Sequence, residues 1–246
     1  MTKETSKQLS KRQELREKRR KQEQGQRIMM ISMIVVGALL VAAMLIYPNL
    51  PKPVGEITTP TFSERPLVNK NSMGDPNAPV KIDVWEDFQC PACAQYSQEV
   101  ETQVTEAYVK TGKVLYTFHF FPFLDDNSVA KESDQSASAS MCAADQGKFW
   151  EYHDMLFANW NGENEGAFND TRLVAFAETL SLNMDEFNAC FKEARYMDII
   201  QQDQLDGQKA GVTGTPSVFV NGQQIMPGYI PSFEAIAEAV EAALPK

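Results

Sequence analysis

The chain is poor in histidine, with only His119 and His153 among its 246 residues, and it has four cysteines. Neither an HxxxH pair nor a second CxxC accompanies the single CxxC, so the common zinc-binding spacings are missing. The sequence also lacks a glycine-rich phosphate loop, which argues against a bound nucleotide. We therefore expect neither a metal nor a soluble cofactor.

Positive charge is scarce after residue 47, where 13 basic residues are outnumbered by 29 acidic ones, a net charge of −16. Such a region lacks the basic stripe that a phosphate backbone requires and is repelled by anionic lipid. We therefore expect no nucleic-acid partner.

Residues 1–27 have the opposite balance, with ten lysines and arginines against four acids. Residues 28–47 follow without a charge, and twenty residues in a helix span a hydrocarbon core of ~30 Å. Because the basic excess precedes this segment, we predict a cytoplasmic tail (1–27), a single-pass membrane anchor (28–47) and an extracytoplasmic remainder. A cleaved signal peptide is the alternative, although its apolar core is normally only ~7–15 residues long.

Four prolines, at positions 48, 51, 53 and 60, follow the anchor. This composition predicts an extended, poorly packed stalk over residues 48–65. Residues 66–246 are enough for one compact domain with an insertion.

The most informative motif is Cys90-Pro91-Ala92-Cys93, which follows an apolar run at residues 80–85 and begins a helical pattern. A cysteine at a helix N-terminus lies near unpaired N–H groups that stabilise its thiolate. Pro91 suits the first turn, where its missing N–H has no cost. The motif therefore indicates thiol–disulfide exchange.

Periodicity predicts a strand at 80–85, a helix at 90–111 and a strand at 114–121, which favours a parallel strand pair. Five helical segments follow, at 133–146, 149–158, 171–180, 185–191 and 192–210, with Asp170 or Thr171 as an N-cap. Strands at 217–220 and 223–225 flank Asn221-Gly222, a two-residue hairpin signal, and a helix at 231–243 ends the pattern. This α/β order is typical of a thioredoxin fold with a helical insertion at about 125–210.

Four stretches, at residues 73–80, 87–93, 147–153 and 211–222, resemble the membrane-anchored, DsbA-like thioredoxin-fold oxidoreductases. The resemblance implies that Thr215-Pro216 has a cis bond beside the cysteines and that the backbone of Thr215 pairs with an extended substrate. It also implies that a membrane reoxidase, DsbB-like or similar to vitamin K epoxide reductase, restores the Cys90–Cys93 disulfide.

The sequence departs from this family at two positions. Many relatives have an acid six residues before the first cysteine, where this chain has Val84, so proton transfer is left to Glu86, Asp87 or water. The best-known relatives have histidine inside the CxxC, where this chain has Ala92. We expect a milder oxidant as a result.

Cys142 and Cys190 lie in the predicted helical insertion. In an oxidising compartment they favour a structural disulfide, as some relatives have, while two buried thiols or a zinc site are the alternatives.

The two histidines are interpreted as structural residues. We expect His119 to be packed or hydrogen-bonded in a strand, and His153 to lie on a helix near solvent. Neither histidine is expected to take part in chemistry.

We therefore expect a monomeric thiol–disulfide oxidoreductase that oxidises cysteine pairs of exported proteins, with Cys90 as the exposed attacking cysteine and Cys93 as its resolving partner. The redox-active disulfide is its only cofactor. A reductase or isomerase of the same fold is one alternative. A peptide-binding chaperone with a merely structural CxxC is another.

Overall fold

The computed structural model describes residues 3–46, 54–125 and 128–245, and the chain divides into two units, residues 1–52 and 53–246. The first unit is one helix, α1 (Lys3–Ile46), of which Lys18–Ile46 is long and apolar enough to cross a membrane. It includes residues 3–27 of the predicted tail as well as residues 28–46 of the predicted anchor, because lysine, arginine, glutamate and glutamine are strong helix formers. Residue 47 of the predicted anchor and residues 48–53 of the predicted stalk lie outside the described residues.

The second unit is built on a five-stranded sheet in the order β1-β3-β2-β4-β5. Its central strands β2 and β3 are parallel, and the other three pairs are antiparallel. The strands are β1 (Ser72–Met73), β2 (Val80–Glu86), β3 (Val114–Phe120), β4 (Ser217–Val220) and β5 (Gln223–Ile225).

A long helix, α2 (residues 91–109), connects β2 to β3. It consists of α-helical turns at Pro91–Tyr96 and Thr102–Val104 that alternate with π-helical turns at Ser97–Glu101 and Thr105–Val109. The other helices are α3 (Glu132–Ala144), α4 (Phe149–Ala158), α5 (Asp170–Thr179), α6 (Met184–Lys192), α7 (Met197–Ala210) and α8 (Phe233–Ala243).

The two faces of the sheet carry different side chains, because successive residues of a strand point to opposite sides. Val84 and Phe118 belong to the main apolar core. Trp85 and Phe219 pack on the opposite face, where α7 covers Trp85. Gly207 allows this close approach, since a Cβ there would lie 2.7 Å from Cδ1 of Trp85.

The hairpin at Asn221-Gly222 was predicted at its observed position. Both residues have positive φ, 46° and 81°, as a type I′ turn requires, and β4 and β5 pair on either side of them.

The predicted N-cap of α5 was wrong by one residue: Asn169, rather than Asp170 or Thr171, accepts a hydrogen bond from the N–H of Arg172. The predicted helix at 192–210 begins only at Met197, because Ala194 has a left-handed backbone (φ 48°).

The predicted stalk is also corrected where the structure describes it. Residues 54–65 pack against the domain: Ile57 contacts the core, and Thr58 N–H donates to Asn159 Oδ1 at 2.9 Å. Arg65 donates two hydrogen bonds of 2.8 Å to the Asp154 carboxylate. Proline content indicated an extended chain but gave no sign of these long-range polar partners.

Candidate active site

The CxxC segment lies where β2 ends and α2 begins. Cys90 is the N-cap of α2 with an extended backbone, and Pro91 occupies the first turn. The Cys90 N–H donates to the Asp87 carbonyl at 2.9 Å, which fixes the turn out of the strand. The backbone N–H groups of Ala92 and Cys93, at the start of the helix, stabilise a thiolate at Cys90.

Thr215 and Pro216 reach the cysteines because β4 pairs directly with β2, with Ser217 opposite Trp85. The Thr215–Pro216 peptide bond is cis. The Sγ of Cys90 lies 3.4 Å from the carbonyl oxygen of Thr215 and donates to it. The Oγ1 of Thr215 is buried and has no hydrogen-bond partner among the described residues.

The two thiols, both free in this structure, differ in access. Cys90 is 7% exposed and Cys93 is completely buried. The order of access agrees with the predicted roles, but the expectation of an exposed Cys90 was wrong. The reason is that the Thr215 loop lies against the Cys90 sulfur, so a partner sulfur has only a narrow approach.

The thiols also differ in acidity. A hydrogen bond from the Cys93 thiol, helped by Thr215 and the helix amides, lowers the pKa of Cys90 to about 6 against the effect of burial. Burial raises the pKa of Cys93 well above its ordinary value, and the neighbouring Cys90 and Glu86 raise it further. At neutral pH the site therefore holds a thiolate at Cys90 and a thiol at Cys93.

Glu86 is the acid that is electrostatically coupled to both cysteines. It is the last residue of β2 and is 1% exposed. Burial raises the pKa of its carboxyl well above the ordinary value, and the charges of Glu101 and Cys90 raise it further, while a weaker interaction with the Cys93 thiol opposes them. Val84, six residues before Cys90, is a core residue instead.

Asp87, the other acid considered for proton transfer, stabilises the turn between β2 and α2. Its carboxylate accepts hydrogen bonds from the Ser133 hydroxyl at 2.7 Å and from the N–H groups of Gln89 and Leu124 at 2.9 and 3.2 Å. Burial raises the pKa of Asp87 to about 7 in spite of these bonds. Its role is therefore to connect the turn before Cys90 to α3.

A cleft of about 310 Å³ adjoins the CxxC and is lined by Ala92, by residues 213–217 and by residues 228–230. Tyr229 stands at its edge, 73% exposed. The cleft thus joins one residue of the CxxC dipeptide to the cis-proline loop. Its position suits an extended peptide segment next to Cys90.

The remaining candidate residues lie in other places. Cys142 on α3 and Cys190 on α6 form a disulfide within the helical insertion. His119, as expected, is hydrogen-bonded in β3, at 3.1 Å from both Asp83 and Asp203. His153 was expected near solvent but is completely buried, because the face of α4 that carries it packs among aromatic rings.

Comparison with known proteins gives one family match and two kinds of relative. Residues 67–242 match the family model described as Thioredoxin. The Na(+)/H(+) antiporter NhaA 3 of Salinispora tropica is 34% identical over 170 residues, which cover 69% of this chain and 24% of the antiporter. The chain thus spans about a quarter of the length of the antiporters it matches. A Bacillus anthracis protein named probable disulfide bond formation protein D is 28% identical, over 72% of this chain and 79% of that protein.

Solved structures agree with the observed fold. Oxidised BdbD from Bacillus subtilis superposes with a TM-score of 0.62 at 20% identity, covering 74% of this chain and 97% of that one. Alpha-DsbA1 from Wolbachia pipientis gives a TM-score of 0.59 at 26% identity, covering 73% and 92%.

Proposed function

Because this chain belongs to the thioredoxin family and has the dithiol site of a DsbA-type thiol–disulfide oxidoreductase, we propose that it oxidises cysteine pairs of exported proteins. The observation that carries the proposal is the asymmetry of the dithiol. Cys90 has a pKa near 6 and partial access, whereas Cys93 is buried with a raised pKa. Factors that stabilise the Cys90 thiolate stabilise the reduced enzyme, and a stabilised reduced form makes the disulfide a better oxidant.

The reaction begins from the Cys90–Cys93 disulfide. A substrate thiolate attacks the Cys90 sulfur, the bond between the two enzyme sulfurs breaks, and Cys93 leaves with the electron pair and takes up a proton. The second substrate thiolate then attacks the substrate sulfur of the mixed disulfide and expels the Cys90 thiolate. The substrate loses two electrons and two protons; the enzyme ends with a thiol at Cys93 and a thiolate at Cys90, and the second proton passes to solvent.

The cleft beside Ala92 and Thr215 is the place where the substrate segment binds in this mechanism. An extended peptide there lies next to the Cys90 sulfur and beside the edge of the cis-proline loop. Main-chain contacts of this kind accept many sequences, which suits an enzyme with varied exported substrates.

The apolar part of α1 anchors the enzyme in this proposal, with the basic tail in the cytoplasm and the dithiol outside. Its reduced form then needs a membrane reoxidase, DsbB-like or similar to vitamin K epoxide reductase, and both reactions proceed with a monomer. An outward-facing position also provides the oxidising compartment in which a Cys142–Cys190 disulfide persists.

The redox potential tests the direction of the reaction. The full chain in detergent is equilibrated with glutathione buffers, and the reduced fraction of the Cys90–Cys93 peptide is measured by alkylation and mass spectrometry. We expect a potential well above that of the cytosolic glutathione pool, towards about −180 mV or higher. A value near about −270 mV, typical of thioredoxin, would reject the oxidase and favour the reductase alternative.

A further inference from the structure

A cluster of three buried side chains lies behind the dithiol. Glu86 ends β2, Glu101 lies on α2 and His153 lies on α4, and their exposures are 1%, 1% and 0%. One oxygen or nitrogen of each lies within 4.8 Å of the corresponding atoms of the other two. Three separate elements of the fold therefore direct polar atoms to one small volume in the apolar interior.

Four atoms of this cluster have no hydrogen-bond partner among the described residues. They are both carboxylate oxygens of Glu86, Oε2 of Glu101 and Nε2 of His153. Burying a polar atom without a partner is unfavourable, and more so for a charged group. These atoms are therefore available to a ligand shared by the three side chains.

The separations fit a metal ion better than direct hydrogen bonds. The Nε2 of His153 and the Oε2 of Glu101 are 3.5 Å apart. Two donors on one tetrahedral metal, each at ~2.0–2.2 Å, lie ~3.3–3.6 Å from one another. The third donor, an oxygen of Glu86, lies within 4.8 Å of both of these atoms.

The surrounding hydrogen bonds orient two of the three donors. The Nδ1 of His153 lies 2.9 Å from the Oδ1 of Asp154, whose carboxylate also accepts two hydrogen bonds of 2.8 Å from Arg65. With Nδ1 directed at the Asp154 carboxylate, Nε2 is the ring nitrogen that faces Glu101. Arg65 in turn donates to Oε1 of Glu101 at 2.9 Å and leaves Oε2 free for a ligand.

A metal-binding histidine usually has its other ring nitrogen hydrogen-bonded to a carboxylate, as Nδ1 of His153 is to Asp154. The charges agree with this arrangement. Arg65 forms ion pairs with both Asp154 and Glu101, so its one positive charge leaves two of the three carboxylate charges for a divalent cation to balance. The aromatic rings of Phe88, Phe118 and Phe157 pack around His153 and make the surroundings of the site apolar, which strengthens the interaction.

We propose that Glu86, Glu101 and His153 bind one divalent transition-metal ion, with Asp154 and Arg65 orienting the ligands. One imidazole and two carboxylates suit Zn²⁺, Fe²⁺ or Mn²⁺, and three protein donors leave one coordination position for water. The site lies behind the CxxC, where Glu86 is electrostatically coupled to both cysteines, and it holds β2, α2 and α4 together. The proposed metal binding is the same whether the enzyme acts as an oxidase or as a reductase.

The test uses the full chain in detergent with its dithiol oxidised, so that Cys90 and Cys93 cannot bind zinc. The protein is stripped with phenanthroline, dialysed and titrated with ZnSO₄, and the zinc content is measured by plasma mass spectrometry. We expect about one tightly bound zinc per chain and a thermal midpoint several degrees higher than that of the stripped protein. Co²⁺ in the same site should give visible absorption bands.

The variants Glu101→Gln and His153→Gln should lose this binding, and Glu99→Gln, an exposed acid on the same helix, should retain it. Asp154→Asn keeps all three ligands and should weaken the affinity at least about tenfold. Circular dichroism establishes which variants fold. Failure of the oxidised wild-type protein to bind zinc, manganese or iron would overturn the proposal and leave the cluster to shared protons and buried water. Unchanged binding by the folded ligand variants would overturn it as well.

Discussion

The Sγ of Cys90 lies 3.4 Å from the carbonyl oxygen of Thr215. This contact joins the start of α2 to the loop before β4, which are 125 residues apart in sequence. In the dithiol the Cys90 S–H donates to that carbonyl, whereas a thiolate at Cys90 needs donors instead. The buried, unpartnered hydroxyl of Thr215 is such a donor and becomes useful when Cys90 loses its proton.

Thr215→Val should therefore make Cys90 less acidic. Removal of one hydrogen bond to a thiolate is worth about 1 kcal/mol, which raises the pKa of Cys90 by roughly half a unit to one unit from its value near 6. The pH dependence of the alkylation rate by iodoacetamide measures this shift. The control is Thr213→Val, a change in the same cleft but outside the contact with Cys90. Equal pKa values for Thr215→Val and wild type would show that the hydroxyl does not act on the thiolate.

The difference in burial between the two sulfurs leads to a second prediction. Cys93→Ser leaves Cys90 able to attack a substrate disulfide but removes the buried thiol that resolves the mixed disulfide, so covalent complexes with exported proteins should accumulate. Non-reducing electrophoresis detects them. Cys90→Ser should give none, because Cys93 is completely buried. A similar yield of complexes from Cys90→Ser would contradict the assignment of the attacking cysteine.

The local parts of the fold were predictable from sequence. The hairpin at Asn221-Gly222 depends on two consecutive positive φ angles, and the strands beside it have a period of two. The position of Cys90 at a helix N-terminus likewise follows from its neighbours. The place of Pro216 beside Cys90 came from family resemblance, because no local pattern brings two segments so distant in sequence together.

Burial of polar groups was the part that sequence did not supply. His153 and Glu86 lie in segments whose patterns do not say which face the rest of the chain covers. Their environment depends on α2, α4 and the segment around Arg65, which meet only in the folded domain. The same long-range contacts turned residues 54–65 from a predicted free stalk into part of the packed unit. A buried polar residue in a short amphipathic segment is therefore the hardest feature to predict.

The disulfide between Cys142 and Cys190 should stabilise the domain without setting the potential of the active site. It closes a loop of 48 residues, so the double change Cys142→Ser/Cys190→Ser should lower the free energy of unfolding by about 4 kcal/mol in the chain-entropy model. Chemical unfolding of the full chain with an oxidised Cys90–Cys93 pair measures the loss. The redox potential of Cys90–Cys93 should stay unchanged. A large shift in that potential would mean that the insertion acts on the active site.

The stability of the domain should also fall at alkaline pH because of His119. Both ring nitrogens lie 3.1 Å from a carboxylate, of Asp83 and of Asp203, and two acceptors require a doubly protonated ring. Burial opposes this charge, but the two carboxylates outweigh it and raise the pKa of His119 to about 9 from 6.5. The folded state therefore binds this proton more tightly than the unfolded chain. The resulting stabilisation is complete below pH 6.5 and is lost as the pH rises through 9.

The shift corresponds to at most about 3 kcal/mol between those two pH values. Asp203→Asn removes one of the two carboxylates and should abolish more than half of the pH dependence of the free energy of unfolding in that range. Asp198→Asn, an exposed acid on the same helix, should leave the dependence as it is. Urea unfolding at a series of pH values between 6 and 10 measures both, with the active-site pair kept oxidised so that Cys90 does not titrate. If the oxidised wild-type protein has the same stability at pH 6.5 and pH 10, His119 is not protonated in the folded state.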